Sequence, residues 1–149
     1  MANLILRAAE PTDADSIGRM LAELGYAALP EDVVGRLATV RQEGGTVIIA
    51  EDAQQRALGL ISLTRHAVLH APGPVAQITA LVITAEARRR GVGRALVAAA
   101  HDWAEGQCCV RLTVTSAEHR ADAHAFYPAC GLPYTGRRYS VSTVRKAPV

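Results

Sequence analysis

Apolar side chains recur along this chain with two different periods, and together these periods predict ten elements of secondary structure. Short apolar or alternating runs predict six strands, because such runs suit buried or half-buried extended backbone. Apolar residues three and four positions apart predict four helices, each with one buried stripe. The strands are expected at 4–8, 46–51, 57–64, 77–83, 108–115 and 139–145, and the helices at about 12–24, 30–43, 92–105 and 119–129.

The order of these elements predicts a mixed α/β sheet that is covered on both faces. Written along the chain, the order is β-α-α-β-β-β-α-β-α-β. Helices spaced among strands, together with some adjacent hairpins, are typical of such a sheet. A length of 149 residues favours a single domain over 1–149, which is long enough to bury a core without covalent staples.

Two helix ends carry residues that indicate where the backbone turns. Thr12 and Asp15 have the spacing of a capping box just before the first apolar stripe. Gly106 follows the last periodic residue of the third helix, where a left-handed C-cap is commonly a glycine. We therefore expect Thr12 and Asp15 to cap the first helix and Gly106 to end the third.

Charge and composition limit the classes of partner. The net charge is only +2, which argues against general nucleic-acid binding, because a basic stripe is the usual footprint of that function. No apolar run approaches the length of a membrane span, and the N-terminus lacks the features of a signal peptide, so a cytoplasmic protein without a membrane partner is expected. Abundant alanine, and arginine in place of lysine at all positions except Lys146, favour a bacterial source.

The three cysteines, Cys108, Cys109 and Cys130, do not predict a metal site or a disulfide framework. Their number is odd, and their spacing does not match that of metal ligands, so reduced thiols are expected. Cys108 and Cys109 are adjacent and would point to opposite faces of a strand. We interpret all three as small buried apolar residues.

A turn rich in arginine and glycine lies between the fourth strand and the third helix. It reads Arg88-Arg89-Arg90-Gly91-Val92-Gly93-Arg94. The first N–H groups of a helix have no internal acceptor, and the helix dipole places partial positive charge there. Gly91 and Gly93 leave these groups accessible, and the guanidinium groups can pair with phosphate. The turn predicts a phosphate or pyrophosphate site, and the alternative is a solvated arginine cluster beside an ordinary turn.

The same turn identifies a family that the chain resembles. It lacks the lysine of a P-loop and the third glycine of a dinucleotide fingerprint. It does match the pattern Arg/Gln-x-x-Gly-x-Gly/Ala, with Leu81-x-Ile83 before it and Ala95-Leu96 after it. In this context it resembles the acetyl-CoA signature of the Gcn5-related N-acetyltransferase (GNAT) family. Ala85 departs from the family, which usually has proline there.

A second segment resembles the same family and lies the expected distance downstream. Ala123-His124-Ala125-Phe126-Tyr127, followed by Gly131, matches the spacing of the family's second landmark. In the family the tyrosine of this motif lies beside the cofactor sulfur and often acts as the general acid. Carried over by position, that residue is Tyr127. Pro128 and Leu132 depart from the usual pattern, and a proline after the tyrosine disfavours helical geometry at Tyr127.

The resemblance covers essentially the whole chain and implies both a fold and an activity. The implied fold is a mixed, mostly antiparallel central sheet of about six to seven strands flanked by about four helices. The implied activity is direct transfer of an acetyl group from acetyl-CoA to a primary amine, in a small molecule or a peptide, without a metal. The family allows a homodimer, and its acceptor site would involve 24–41, 66–74 and 136–139. The implied cofactor contacts are Leu81, Val82, Ile83, Arg88, Arg89, Arg90, Gly91, Val92, Gly93, Arg94 and Tyr127, with Tyr127 also catalytic.

Several questions stay open at the level of sequence. The general base is not identified, since His66, His70, Glu118, His119 and a water chain are all conceivable. One alternative function is a non-catalytic CoA-binding or regulatory module that uses Tyr127 only for packing. Another is an enzyme with a different phosphate ligand.

Overall fold

A computed structural model describes residues 3–116 and 121–144 of the chain, which is divided into two compact units, the first ending at Val114 and the second beginning at Thr115. The strands of the first unit are β1 Ile5–Ala8, β2 Thr46–Glu51, β3 Ala57–His66, β4 Val75–Ile83 and β5 Arg111–Val114. Its α-helices are α1 Ala14–Leu24, α2 Pro30–Gln42 and α3 Val92–Gly106, with 3₁₀ turns at Pro11–Asp13 and Ala85–Ala87. The second unit contains α4 Ala121–Ala129. None of the described helices combines the length and the apolar character needed to cross a membrane.

The five strands form one sheet in the same order as in the sequence. β1, β2, β3 and β4 pair antiparallel with their neighbours, whereas β5 runs parallel to β4. A parallel pair needs a long crossover connection, and α3 provides it. The mixed, mostly antiparallel sheet with its four α-helices confirms the predicted fold class.

The sheet has fewer strands than the six to seven that were expected, because the described part of the last predicted strand, 139–144, has no sheet partner. Its apolar side chains are exposed: Tyr139 by 86%, Val141 by 85% and Val144 by 85%. Alternation specifies a strand only where one face can be buried. Since neither face is buried here, the prediction of a sixth strand is wrong for these residues.

Helices cover both faces of the sheet. α1 packs on β3 and β4, α2 packs on β2, and the core on this side includes Leu60 and Val82. Successive residues of a strand point to opposite faces, so Gly59 and Ile83 face the other side, where α3 packs on β3 and β4. A side chain at Gly59 would lie 2.8 Å from the carbonyl oxygen of Val82 and 3.2 Å from Leu96 Cδ1. Gly59 therefore permits the close approach of α3 to the sheet.

One ion-pair network ties β1 and β2 to the turn before α1. Arg7 donates to both carboxylate oxygens of Asp13, at 2.8 Å each, and to Glu51 at 3.0 Å. These hydrogen bonds from Arg7 lower the pKa of Asp13 below its usual range. Because the pKa of Asp in an unfolded chain is about 3.9, the charged Asp13 stabilises the fold at neutral pH. That contribution is lost as the pH falls from about 4 through the lower folded pKa.

The first helix is capped two residues earlier than predicted. The Asp13 carboxylate accepts a hydrogen bond from the backbone N–H of Glu10 at 2.7 Å, and Pro11 begins a 3₁₀ turn that leads into α1. Proline suits the first position of a helical turn because its φ is already fixed there. The prediction that Thr12 and Asp15 cap this helix is therefore wrong.

The end of α3 also differs from the prediction. Gly106 is still helical, and the left-handed residue is Cys108, with φ of 59°. Cys108 N–H donates to Glu105 at 3.0 Å and Cys109 N–H donates to Ala104 at 2.9 Å, which is the Schellman pattern. Cys108 is exposed, while Cys109 and Cys130 are half-buried, so the expectation of three buried thiols is wrong.

Replacing Gly106 by alanine tests this helix end. Gly106→Ala should raise the free energy of unfolding by about 0.5 kcal/mol, because alanine suits a helical position and a Cβ there would meet no other atom. Gly25 ends α1 with φ of 101° and equally free surroundings, so Gly25→Ala should lower the free energy of unfolding by about 1 kcal/mol. Urea unfolding measures both variants. Equal destabilisation by the two substitutions would mean that Gly106 is the left-handed residue after all.

Candidate functional site

β4 and β5 pair over only four residues and then separate. The pairs run from Val75 with Arg111 to Ile78 with Val114. β4 continues to Ile83 and stays paired with β3 on its other side, where Ile83 lies opposite Gly59. From Thr79 to Ile83, β4 therefore has one edge without a strand partner in the described part of the chain. Unpaired backbone groups on such an edge can bind an extended ligand as an added strand.

A β-bulge marks the point of separation. The register changes from Ser62 opposite Ala80 to Leu63 opposite Ile78, which leaves Thr79 as the extra residue. The Thr79 hydroxyl donates to the carbonyl oxygen of Ser62 at 3.2 Å. A bulge bends its strand and increases the local twist. The bulge at Thr79 thus lies immediately after the last pair of β4 with β5, at the point where the two strands separate.

The arginine-glycine turn connects the free edge of β4 to α3. Thr84 N–H donates to the carbonyl oxygen of Leu58 at 2.9 Å, which fixes the start of the turn against β3. Two of its residues are left-handed, Arg89 with φ of 63° and Gly91 with φ of 80°. Left-handed residues beside right-handed ones arrange successive N–H groups into an anion-binding concavity.

The start of α3 is open to a ligand. Gly91 is the N-cap, and no side chain caps the helix there. A Cβ at Gly91 would have no other atom within 4 Å, so no neighbouring group crowds this position. Val92 and Leu96 are 3% and 0% exposed, and their burial holds this helix start in place. The arrangement suits a phosphate group, which the N–H groups and the helix dipole would attract.

The arginines of the turn surround this helix start with positive charge. The side chains of Arg88, Arg89, Arg90 and Arg94 are exposed. Within the described residues, Arg88, Arg89 and Arg90 form no ion pair with a carboxylate. Their charge is therefore available to an anionic ligand. The predicted residues 81–83 and 88–94 thus belong to one continuous strand, turn and helix of the first unit.

Tyr127 lies in α4 of the second unit. Its ring is half-buried and meets Phe126 edge to face, with centroids 5.3 Å apart. The helix continues through Pro128 to Ala129 and ends at Gly131, whose φ is 91°. The expectation that Pro128 disfavours helical geometry at Tyr127 is wrong, because the missing N–H affects only one bond near the end of the helix, where Leu132 N–H donates to Tyr127 at 2.9 Å.

Several residues were considered as the base that accepts the proton of the amine, and the structure describes two of them, His66 and His70. His66 ends β3 and His70 lies in the following loop, and both are exposed. Glu118 and His119 lie outside the described residues. On α3, exposed His101, Asp102 and Glu105 bring ligand-type atoms within 4.8 Å of one another. A helix surface commonly carries such groups at these spacings, so we assign no metal to them.

A cavity of about 410 Å³ lies between α1, α2 and the sheet. Apolar side chains of the two helices and of β2 and β3 line most of it. Thr79 and Ala80 of β4, at the bulge, are also among its lining residues. Tyr26, which follows α1, and Arg36 on α2 also line it, and both are exposed. Six of the lining residues lie in the predicted acceptor segment 24–41, and none of the lining residues comes from 66–74 or 136–139.

Sequence reasoning also missed Gly59 and Thr79. A glycine inside a predicted strand indicates a bulge or a close approach, so Gly59 could have been found from that signal. The Thr79 bulge has no such signal, because nothing in an apolar β-branched run shows where register changes. Both residues shape the site through backbone geometry rather than through a reactive side chain.

Comparison with protein-family models gives one match. The model of the acetyltransferase (GNAT) family matches residues 15–132, which is most of the chain. A search of curated proteins gave no match.

Solved structures share the fold. An acetyltransferase from Trypanosoma brucei is 22% identical, with a TM-score of 0.82 over 94% of this chain and 99% of its own. An aminoglycoside 6′-N-acetyltransferase from Acinetobacter baumannii is 16% identical, with a TM-score of 0.80 over 97% and 100%. An aminoglycoside N-acetyltransferase in complex with CoA is 18% identical, with a TM-score of 0.80 over 98% and 96%.

Proposed function

The chain belongs to the GNAT family of acetyltransferases, and we propose that it transfers an acetyl group from acetyl-CoA to a primary amine. One observation carries the proposal: the open, arginine-rich start of α3 directly follows a strand whose outer edge is free. A phosphate site and an extended-chain site joined end to end suit the pyrophosphate and the pantetheine arm of CoA. The complex of a similarly folded acetyltransferase with CoA supports this choice of ligand.

The first unit would hold the thioester substrate. The N–H groups at Gly91 and Val92, with the neighbouring arginines, would bind the pyrophosphate. The backbone of Leu81, Val82 and Ile83 would pair with the pantetheine arm. An N–H of this free edge, near the bulge, would donate to the thioester carbonyl oxygen and stabilise the negative charge that develops there. Acetyl-CoA supplies an activated acetyl group with a good leaving group.

The chemical step is proposed to be direct attack in a ternary complex. The neutral amine nitrogen forms a bond to the carbonyl carbon, the carbon–sulfur bond breaks, and the amine gives up one proton to solvent or to a base. Tyr127 would donate its phenolic proton to the departing thiolate. This route requires no acyl-enzyme on a cysteine.

A second candidate is a CoA-binding module without catalysis. The edge-to-face contact of Tyr127 with Phe126 favours it, because a packing role alone would explain this tyrosine. A single domain, a bacterial source, a cytoplasmic location and a homodimer stay predictions from the sequence.

Release of free CoA thiol in the presence of amines distinguishes the two candidates. The purified protein should release thiol from acetyl-CoA above the background of hydrolysis with at least one member of a panel of primary amines. The panel should include alkylamines, amino acids, peptides and an aminoglycoside. Thiol release at background with every amine, despite CoA binding by calorimetry, would favour the binding module.

Substitution of Gly91 tests the phosphate site. Gly91→Val should weaken CoA binding about tenfold or more, because a β-branched residue is strained at positive φ and would disturb the helix start. Gly44 has φ of 86° and equally open surroundings at the end of α2, so Gly44→Val is the matched control for strain. Calorimetric titration with CoA should show normal affinity for the control. Normal affinity for Gly91→Val would show that the phosphate binds elsewhere.

Removal of one hydroxyl tests the general acid. Tyr127→Phe should lower kcat about 10²-fold while the Kd for CoA changes little, because the ring is kept and only the proton donor is lost. Tyr134→Phe is the control, since Tyr134 is 74% exposed in the same unit. Single-turnover thiol release reports the chemical step. A normal rate in Tyr127→Phe would remove Tyr127 from the mechanism.

A further inference from the structure

The cavity beneath α1 and α2 is well placed to hold the acceptor. It reaches Thr79 and Ala80, where the free edge of β4 begins. If the pantetheine arm lies along 81–83 as proposed, its thioester end lies beside Thr79 and Ala80 of the cavity lining. An amine in the cavity would then approach the carbonyl carbon from the α1–α2 side. This placement of the amine rests on the proposed function.

The lining of the cavity is strongly apolar. Nine of its side chains are aliphatic, including Leu21, Leu24 and Val40, and no carboxylate occurs among the described lining residues. A polycation in such a space would lose its hydration without gaining a counter-charge. The cavity therefore disfavours polyamines and aminoglycosides and favours an acceptor with one amine on an apolar body.

Arg36 gives the cavity its single formal charge. It lies on α2, and in the part of the chain that the structure describes it forms no ion pair. Thr79 and Ala80 of the lining lie on β4, whereas Val47 of the lining lies on β2, on which α2 packs. These strands are two positions apart in the sheet, which corresponds to roughly 10 Å. The guanidinium is thus available to an anionic group at the end of the acceptor away from its amine.

We propose that the acceptor is a small primary amine whose apolar body carries a carboxylate at its far end, held by Arg36. The aliphatic lining binds the body, and the amine lies beside the bulge at Thr79. Tyr26, which lines the cavity and is 66% exposed, adds an aromatic contact to the body of the acceptor. The aminoglycosides used by similarly folded enzymes do not fit this description.

A series of amines with one shared body tests the proposal. Octylamine, 8-aminooctanoate and 1,8-diaminooctane present the same eight-carbon chain, with a methyl, a carboxylate or an ammonium group at the far end. The wild-type kcat/KM for thiol release should be about tenfold higher for the carboxylate than for the methyl compound, and lowest for the diamine. Equal values for all three would overturn the proposal.

Variants of Arg36 assign the preference to this residue. In Arg36→Gln, kcat/KM for 8-aminooctanoate should be about equal to that for octylamine. In Arg36→Glu, kcat/KM should be higher for 1,8-diaminooctane than for 8-aminooctanoate. Arg19→Gln is the matched control, because Arg19 is an exposed arginine of α1 outside the lining. A carboxylate preference that survives in Arg36→Gln would overturn the role of Arg36.

Direct binding separates failure of this inference from failure of the proposed function. Calorimetry with CoA present should show 8-aminooctanoate binding about tenfold tighter than octylamine, and the difference should vanish in Arg36→Gln. This result without thiol release from any amine would support the binding site and contradict the acetyltransferase proposal. Thiol release without any difference between the two amines in binding or kcat/KM would support the acetyltransferase proposal and contradict the binding site.

Discussion

The parallel pairing of β4 with β5 ends after four residues, and the candidate site depends on this early end. Each backbone N–H and C=O on the edge of a strand needs a partner, and beyond Ile78 the described chain supplies none on this side of β4. The edge is short, because the chain turns away at Thr84, so it suits one ligand better than another strand. It also lies between the start of α3 and the apolar cavity, so a phosphate site, a strand edge and an apolar cavity lie next to one another.

A helix start is useful for binding only when it is fixed relative to the rest of the site. Here the fixation comes from packing. Leu96 is fully buried against the sheet, and Gly59 lets α3 come close, since any side chain there would meet the backbone of Val82. The arginines of the turn, by contrast, are exposed and can adjust. The rigid part therefore sets the position of the N–H groups, while the flexible part adds charge.

Much of the fold could be predicted because its elements have strong local periodicity. β2, β3, β4, α1 and α3 lie close to their predicted bounds, since each buries a regular set of apolar side chains. The errors have a shared cause, which is that local patterns do not specify what lies opposite a residue. Tyr139 and Val141 alternate like a strand but bury no face, and Gly106 looks like a cap although the chain turns at Cys108.

The candidate site was predictable where its residues are adjacent in the sequence, and not where the fold brings distant residues together. The turn from Arg88 to Arg94 carries its chemistry in adjacent residues, so its position before α3 followed from the sequence. The cavity unites residues from Ile17 to Ala80 that only the folded sheet brings together. Arg36 lies within the predicted acceptor segment 24–41, but nothing in the sequence pattern distinguishes it there from other exposed arginines.

One set of side chains both forms the core and lines the cavity. Ile17, Val33, Leu37, Val47 and Leu60 are each less than a tenth exposed and belong to both. A substitution that reshapes the inner cavity therefore also disturbs the packing that keeps the chain folded. Tyr26 and Arg36 line the cavity without belonging to this core, so a substitution at either would alter the lining and leave the core intact. Changes of acceptor selectivity at little cost in stability are therefore confined to the exposed part of the lining.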